Sequence, residues 1–278
     1  MADKHHSTAP RPDVATLAGL AVALGGIIGG LILEGGNLKQ ILQGTAAMIV
    51  FGGTLGAVLV TTPFGVLKGA FARLLAVFYE RGQSPEQAIE QIISYATQAR
   101  KNGIVSLEAE ADMAPDPFLR KALSLAVDGT DLQELRKMME LDIVMEEQRG
   151  EAEAKVFEAA GGYAPTIGII GAVLGLIQVM QKLADIEEVG RGIGVAFVAT
   201  VYGVGSANIF FLPAANKIRA RIARQVRLKE LMLEGIVGIV EGLNPKLIRI
   251  KLGAYLERAS EGGAKARPAG RPAPSVQA

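Results

Sequence analysis

The stretch Tyr163–Gln181 reads YAPTIGIIGAVLGLIQVMQ and contains no charged side chain. A helix needs about 20 mostly apolar residues to cross the roughly 30 Å hydrocarbon core of a bilayer, so this stretch is long enough to span a membrane. Three more stretches of this kind lie outward from it: Val14–Leu33, Ile41–Thr62 and Gly192–Leu212. Four uncharged runs of this length predict four transmembrane helices rather than the buried helices of a large soluble protein.

The composition agrees with a membrane protein. Hydrophobic residues make up 50% of the 278 residues, 34 glycines add to that apolar share, and the mean hydropathy is +0.31. A formal net charge of +1 offers no global field that would attract nucleic acid. The lack of cysteine excludes disulfides, Cys-ligated zinc and thiol catalysis. His5 and His6, the two histidines, lie in a polar N-terminal tail, where we expect solvated side chains rather than metal ligands.

Lysine and arginine are unevenly distributed around the four stretches. The loop between the first two spans holds Lys39, and the loop between the last two holds Lys182 and Arg191 among three acidic residues. The other flanking segments are much richer, with Lys4, Arg11, Lys68, Arg73, Arg81, Lys155, Lys217, Arg219, Arg221, Arg224 and Arg227. Cytoplasmic loops carry the excess of Lys and Arg, so both termini and the long middle segment are predicted to be cytoplasmic.

Between the spans the sequence predicts helices, and the fold class is therefore all-α. Ser84-Pro85-Glu86-Gln87 forms a capping-box pattern. Asp131 is placed to cap a helix that we expect to continue into the third span. The expected segments are a cytoplasmic tail (1–13), transmembrane helices 1 and 2 (14–63), a cytoplasmic helical domain (64–162), transmembrane helices 3 and 4 (163–213), C-terminal helices (214–261) and a disordered tail (262–278).

Small and polar residues distinguish the spans from one another. Glycines at 26, 29 and 30 and at 168, 171 and 175 mark faces where helices pack closely. No Asp, Glu, Lys, Arg or His lies in any of the four stretches, although an ion path through a membrane usually needs an ionisable group. Polar residues concentrate in Thr200–Asn208, for which hydrogen bonds between helices and an ion path are both open. If the chain conducts protons, a partner chain must supply the carboxylate.

Three motifs resemble a known family. They are Ala164–Ile177 (APTIGIIGAVLGLI), Thr200–Gly203 (TVYG) followed by Asn208 and Phe211–Lys217 (FLPAANK), and Ala99–Glu108 (ARKNGIVSLE). Together with the order of spans, they resemble the MotA/PomA family of bacterial flagellar motor stator subunits, closest to the MotC type. The resemblance extends from Val14 to about Leu256.

The resemblance implies a homopentamer in the bacterial inner membrane that surrounds two copies of a MotB-like single-span partner. Each partner would bring the essential Asp that carries the proton, and ion flow would turn the ring against a FliG-type switch-complex protein of the rotor. No enzymatic activity, cofactor or nucleic acid is implied, and membrane lipids surround the spans.

The same resemblance assigns individual residues. Along the ion pathway it places Pro165, Ala172, Thr200, Tyr202 and Pro213, and in rotor binding it places Arg100, Glu108 and Asp142. Simple helix termination is an equal alternative for Pro213, and a solvated helix face is the alternative for the charged residues. Sodium-using members carry a hydroxyl residue at the position of Ala172, so its methyl group favours protons, with sodium the less expected ion.

Other classes of protein are also considered. The TolQ/ExbB group of proton-driven energisers of cell-envelope processes resembles the last two spans, but has three spans. A substrate transporter would normally show internal repeats, and the two halves of this chain do not resemble each other. A purely structural membrane scaffold is the remaining alternative, and a motility test would distinguish it.

Overall fold

The computed structural model describes residues 11–77, 79–80 and 83–261. His5, His6 and the tail predicted to be disordered (262–278) lie outside the described residues. The chain divides into two compact units. The first unit comprises Met1–Gly82 and Met145–Arg224, and the second comprises Gln83–Val144 and Gln225–Ala278.

Helices dominate the described residues, as the all-α prediction requires. In chain order they are α1 (Val14–Leu33), α2 (Leu38–Ile41), α3 (Gly44–Ala47), α4 (Gly53–Thr61), α5 (Phe64–Val77), α6 (Pro85–Asn102), α7 (Glu108–Met113), α8 (Pro117–Val127), α9 (Leu132–Gln181), α10 (Ile186–Ser206), α11 (Leu212–Val240) and α12 (Pro245–Glu261). Two π-helical turns (Met48–Gly52 and Ala207–Phe211) and a 3₁₀ turn (Ile104–Leu107) join neighbouring helices. Two-residue strands, β1 (Arg11–Pro12) and β2 (Tyr79–Glu80), pair antiparallel.

Four helical stretches are long and apolar enough to cross a membrane. They are Val14–Leu33, Gly44–Thr61, Leu132–Gln181 and Ile186–Val240. The number of spans predicted from the sequence is therefore confirmed, and the chain is a membrane protein with four spanning helices.

The second span begins later than the predicted stretch Ile41–Thr62, because the spanning helical segment extends from Gly44 to Thr61. Helix α2 ends at Ile41, Leu42 and Gln43 leave the helical conformation, and α3 begins at Gly44. An interruption in an apolar segment is tolerated only where other groups satisfy the freed backbone donors and acceptors. Here the Gln43 N–H donates to the Ile41 carbonyl, and the Tyr202 hydroxyl is a second partner of both groups. The local sequence gives no sign of so distant a contact.

The third and fourth spans continue beyond their apolar stretches. Asp131 caps α9 through the N–H of Gln133, as predicted, and the helix continues into the third span without interruption at Pro165. Helix termination at Pro213, one of the two alternatives, is wrong because α11 passes through this residue and ends at Val240. Pro213 comes directly after Leu212, which follows a π-helical turn, and a local π-helical adjustment is one way in which a spanning helix accommodates the hydrogen bond that proline cannot donate.

The second unit has a conventional apolar core. Its fully buried side chains include Ile92, Leu107, Leu119, Leu123, Leu135, Met139, Leu231, Met232, Ile236, Ile248 and Leu252. The capping box predicted at Ser84 is present, with Ser84 accepting from the Gln87 N–H and Gln87 accepting from the Ser84 N–H. Aliphatic burial of this kind is the main stabilising contribution to such a bundle.

An ion-paired carboxylate lies at the edge of that core. Glu234 of α11 accepts hydrogen bonds from Arg136 of α9 and Lys251 of α12, each at 2.7 Å. Burial raises the pKa of Glu234, but the bonds and charges of Lys251 and Arg136 outweigh burial and hold that pKa below its ordinary value. Glu234 thus joins three helices of the second unit in its ionised form.

Candidate functional site: one flank of the third and fourth spans

Glycines bring the third and fourth spans into direct backbone contact. A methyl group built on Gly168 would lie 2.9 Å from the carbonyl oxygen of Ala199, and one built on Gly175 would lie 2.9 Å from that of Gly192. Gly168 comes before Gly175 in α9, but its partner Ala199 comes after Gly192 in α10. The two helices therefore run antiparallel. The packing face predicted for glycines 168, 171 and 175 is therefore confirmed, and it leaves no room for a side chain. Glycines 26, 29 and 30 of α1, to which the same prediction applies, have open space around them within the described chain.

The second span covers one flank of this helix pair. A methyl group on Gly171 would meet both the Ala199 Cβ at 2.8 Å and the Ile49 Cγ2 at 3.3 Å. Val198 of α10 is buried in one cluster with Ala46 and Val50 of the second span. One side of the α9–α10 pair is thus closed by protein.

Ala172 and Thr200 lie on the opposite flank. They directly follow Gly171 and Ala199, which face each other, and each next residue of a helix turns by about 100°. Because the two helices are antiparallel, these rotations place Ala172 and Thr200 on the same side of the pair. That side is opposite to Val198 and the second span. Their axial separation is about 3 Å, two steps of the helical rise. The geometry therefore brings these two predicted ion-pathway residues together.

Pro165 extends the same flank along α9. It precedes Ala172 by seven residues, which is nearly two full turns, so both residues lie on one face of the helix. Pro165 has no N–H, and the carbonyl oxygen of Gly161 therefore lacks its helical donor. Pro165, Ala172 and Thr200 are all half-buried. These three residues are called the pathway flank below.

The polar side chains of the last two spans mostly bond to their own helix. Thr200 Oγ1 donates to the carbonyl of Ala196 at 3.3 Å, and Ser206 and Asn208 donate to carbonyls three and four residues earlier. Among the residues of Thr200–Asn208, Tyr202 is the one for which a hydrogen bond to another helical segment is present within the described chain. A hydroxyl that donates to its own helix keeps its oxygen lone pairs available, so Thr200 can still accept a hydrogen bond on the pathway flank.

Tyr202 lies on the flank that the second span covers. Its hydroxyl donates to the carbonyl of Ile41 at 2.5 Å and accepts from the N–H of Gln43 at 3.2 Å. Its ring stacks on Phe51 with centroids 5.8 Å apart. These contacts bridge the interruption between α2 and α3, and the ion-pathway role of Tyr202 stays a prediction that its contacts do not support. Pro213, by contrast, is exposed.

Two ionised clusters lie at the ends of the spans, and their pairing could not be read from the sequence. Asp13 caps α1 and pairs with Lys217 at 2.7 Å and Arg221 at 3.5 Å. The hydrogen bond from Lys217 is the main cause that lowers the pKa of Asp13 from 3.8 to about 2. Glu153 of α9 is buried and pairs with Arg73 of α5. An Asp before an apolar run signals a helix cap, but not its distant cations.

The predicted rotor-binding residues lie in the second unit and differ in their surroundings. Arg100 is in the last turn of α6 and Glu108 is the first residue of α7, positions where each charge interacts favourably with its helix dipole. Both are exposed, and neither forms an ion pair with a described residue. Asp142 already pairs with Lys121 Nζ at 2.5 Å. Arg100 and Glu108 are therefore open to a partner, whereas Asp142 would first have to release Lys121.

Family models match both halves of the chain. Residues 17–103 match the model described as "Motility protein A N-terminal", and residues 110–231 match the "MotA/TolQ/ExbB proton channel family". Over 245 residues the chain is 34% identical to Motility protein A of Bacillus subtilis (strain 168), a match that covers 88% of this chain and 91% of that protein. The chain belongs to the motility protein A family.

Solved structures agree with membership of the motility protein A family. The "Structure of C. jejuni MotAB" matches with a TM-score of 0.84 and 31% identity, covering 87% of this chain and 95% of that chain. The "Structure of the flagellar MotAB stator complex from Bacillus subtilis" matches with a TM-score of 0.83 and 33% identity, covering 91% and 100%. The likeness therefore covers most of the chain.

Proposed function

We propose that the chain is a flagellar motor stator subunit that forms, with a MotB-like single-span partner, a proton channel and converts the proton motive force into torque. Membership of the motility protein A family and the likeness to two MotAB complexes support this function. The observation that carries it is the pathway flank, where Pro165, Ala172 and Thr200 are half-buried on the side of the spans that the second span leaves open.

The partner supplies what the spans lack. The four apolar stretches contain no ionisable residue, so a proton crossing them needs a carboxylate from another chain. A partner Asp beside the pathway flank would meet the Thr200 hydroxyl, an apolar wall at Ala172 and the interrupted backbone at Pro165. Each proton releases about 2.3 kcal/mol per 100 mV of membrane potential, and no enzymatic step or cofactor is needed.

Protons are the coupling ion that we propose. Sodium requires several oxygen ligands to replace its hydration shell, whereas the Ala172 side chain offers only a methyl group beside Thr200. In cells that swim with this stator alone, speed should be independent of external sodium and should collapse on addition of a protonophore. Speed that follows sodium and survives the protonophore would contradict the proton assignment. Motility unaffected by deletion of the gene in such cells would contradict the stator function.

The rotor contact is proposed at Arg100 and Glu108, which are exposed and free of ion pairs with described residues. Opposite charges on a FliG-type rotor protein would face them, with Asp142 joining after it leaves Lys121. Arg100→Glu should abolish swimming, and a compensating charge reversal in the rotor protein should restore it. Lys137→Glu, the same charge change at an exposed lysine of the second unit, serves as the control and should leave motility intact.

The assembly proposed is a homopentamer in the inner membrane with both termini in the cytoplasm. Lys and Arg in the segments flanking the spans support this orientation. Intact-complex mass spectrometry of the chain co-purified with its partner should give five copies of this chain to two of the partner. A labelling reagent that cannot cross the membrane should modify a cysteine placed at Lys39 but not one placed at Arg100.

The alternative function, a TolQ/ExbB-like energiser of the cell envelope, is less well supported. The shared family model covers residues 110–231 only, whereas the match over residues 17–103 is to a motility protein model. The four spans also agree with the stator rather than with a three-span energiser.

A further inference from the structure

An apolar stripe with one cation follows the outer face of α5. Helix α5 begins at Phe64, directly after Pro63 and close to the end of the second span. Phe64, Lys68, Phe71 and Leu75 are spaced by four, three and four residues, so they lie on one face of the helix. Their exposure is high, at 77% for Phe64, 52% for Phe71 and 67% for Leu75.

The opposite face of α5 fixes the helix against the rest of the first unit. Leu67, Ala70 and Leu74 are buried, and Arg73 pairs with the buried carboxylate of Glu153 in α9. Gly69 lies directly beside that carboxylate, because a methyl group there would overlap the Glu153 side chain. The stripe is therefore presented outward by a helix that is held in place, and more than half of the surface of each of its apolar residues is exposed within the described chain.

The charge of the stripe is positive and uncompensated. Phe64–Val77 contains no acidic residue, and its other cation, Arg73, is neutralised by Glu153. Lys68 is exposed and forms no ion pair with a described residue. A lysine between phenylalanines keeps its carbon stem in apolar surroundings while its ammonium reaches a polar layer.

We propose that the outer face of α5 lies in the headgroup layer of the bilayer and that Lys68 binds the phosphate of an anionic phospholipid. Continuity with the second span brings this helix to the membrane surface, because two residues separate α4 from α5. Phe and Leu beside a cation are typical of helices that lie in the interface. The proposal depends on the membrane placement of the spans and not on the ion-driven function.

A single tryptophan reports on this face. The chain contains no tryptophan, so Phe71→Trp gives the full-length protein one fluorescent site, in a position that already holds an aromatic ring against Phe157. The variant is reconstituted in mixed phosphatidylglycerol and phosphatidylcholine vesicles, with bromine on the acyl chains of one lipid class at a time. Per brominated lipid, phosphatidylglycerol should quench the tryptophan fluorescence about fivefold more than phosphatidylcholine does. This is the factor expected for one cation near an anionic surface.

Matched variants separate headgroup binding from simple insertion. Adding Lys68→Gln to Phe71→Trp should remove the preference while quenching persists, and adding Lys68→Arg should keep the preference. Leu33→Trp, at the exposed end of α1, should be quenched equally by both lipid classes, and Met113→Trp, exposed in the second unit, should not be quenched. If Phe71→Trp does not fold, Leu75→Trp on the same face replaces it.

Two results would overturn the proposal. Equal quenching of Phe71→Trp by both lipid classes would mean that the face is inserted but binds no particular headgroup. No quenching by either class would mean that protein, such as a second copy of this chain, covers the stripe. Either result would leave the stator function standing, since motility tests that function separately.

Discussion

At the contact between α9 and α10, the absence of a Cβ at single residues determines how closely two backbones approach. Gly203 makes the closest of these approaches to a backbone atom, because a methyl group there would lie 2.5 Å from the carbonyl oxygen of Ala164. Gly205 lies two residues further along α10 and has open space around its Cα. The two glycines therefore offer the same chemical change in opposite surroundings.

Gly203→Ala should destabilise the first unit, whereas Gly205→Ala should not. Overpacking against a backbone carbonyl costs roughly 1–3 kcal/mol, while alanine in an open helical position gains up to about 1 kcal/mol in helix propensity. Thermal unfolding in detergent, followed by circular dichroism, should show a lower midpoint for Gly203→Ala only. Equal midpoints for the two variants would mean that α9 and α10 can move apart to make room for the methyl group without a loss of stability.

Asp13 makes the stability of the first unit depend on acid. Because the Lys217 ammonium lowers its pKa to about 2, ionised Asp13 contributes stability that is complete above about pH 4 and is lost as the pH falls through about 2. Asp13→Asn keeps a capping side chain but loses the ion pair, so the free energy of unfolding should fall by roughly 1–3 kcal/mol at neutral pH. The unfolding midpoint of this variant should also decrease less as the pH is lowered.

The control for Asp13 is another aspartate in the same kind of cap. Asp185 caps α10 through the N–H groups of Glu187 and Glu188, without an ion pair among the described residues. Asp185→Asn removes no ion pair and should therefore lower the unfolding midpoint at neutral pH by less than Asp13→Asn does. An acid response that survives Asp13→Asn would assign the effect to another carboxylate.

At the scale of elements, one hydroxyl reinforces the interruption between α2 and α3. Tyr202→Phe removes the hydroxyl that donates to the Ile41 carbonyl and accepts from the Gln43 N–H, so these two groups keep only the 3.1 Å hydrogen bond that they make with each other. Losing a hydrogen bond of this kind costs roughly 0.5–1.5 kcal/mol. Hydrogen exchange at Gln43 should accelerate, and Tyr163→Phe should not change it. If Tyr202 lines the ion path instead, Tyr202→Phe should lower ion flux while exchange at Gln43 stays as before.

The elements that the sequence predicts well are those whose signals are local. The length of the uncharged stretches predicts the four spans. Ser84 and Asp131 cap the helices that directly follow them, and the spacing of glycines predicts the contact face between α9 and α10. The interruption at Leu42 could not be predicted, because the tyrosine that reinforces it lies far along the chain. On the pathway flank, helical geometry explains why Ala172 joins Thr200, but the ion roles themselves come from resemblance.

For the whole molecule, the division into two compact units predicts that a destabilising substitution in one unit leaves the other unit folded. Gly235 of α11 lies in the second unit, where an added methyl group would meet the Ile92 Cγ2 at 2.7 Å, whereas Gly253 of α12 has open space. Gly235→Val should therefore weaken hydrogen-exchange protection in the second unit and leave the buried helices of the first unit protected. Gly253→Val is the matched control, and equal loss in both units would contradict separate cores.

The pairing of Asp13 with Arg221 also sets an order of events during synthesis. The two residues are 208 positions apart, so the ribosome makes the cap of the first span long before its cations. At roughly 5–20 residues per second, the interval is tens of seconds or less, but it exceeds the time a helix needs to form. The first span must therefore enter the membrane with Asp13 unpaired, and α11 completes the anchorage of this span only after the fourth span has been made.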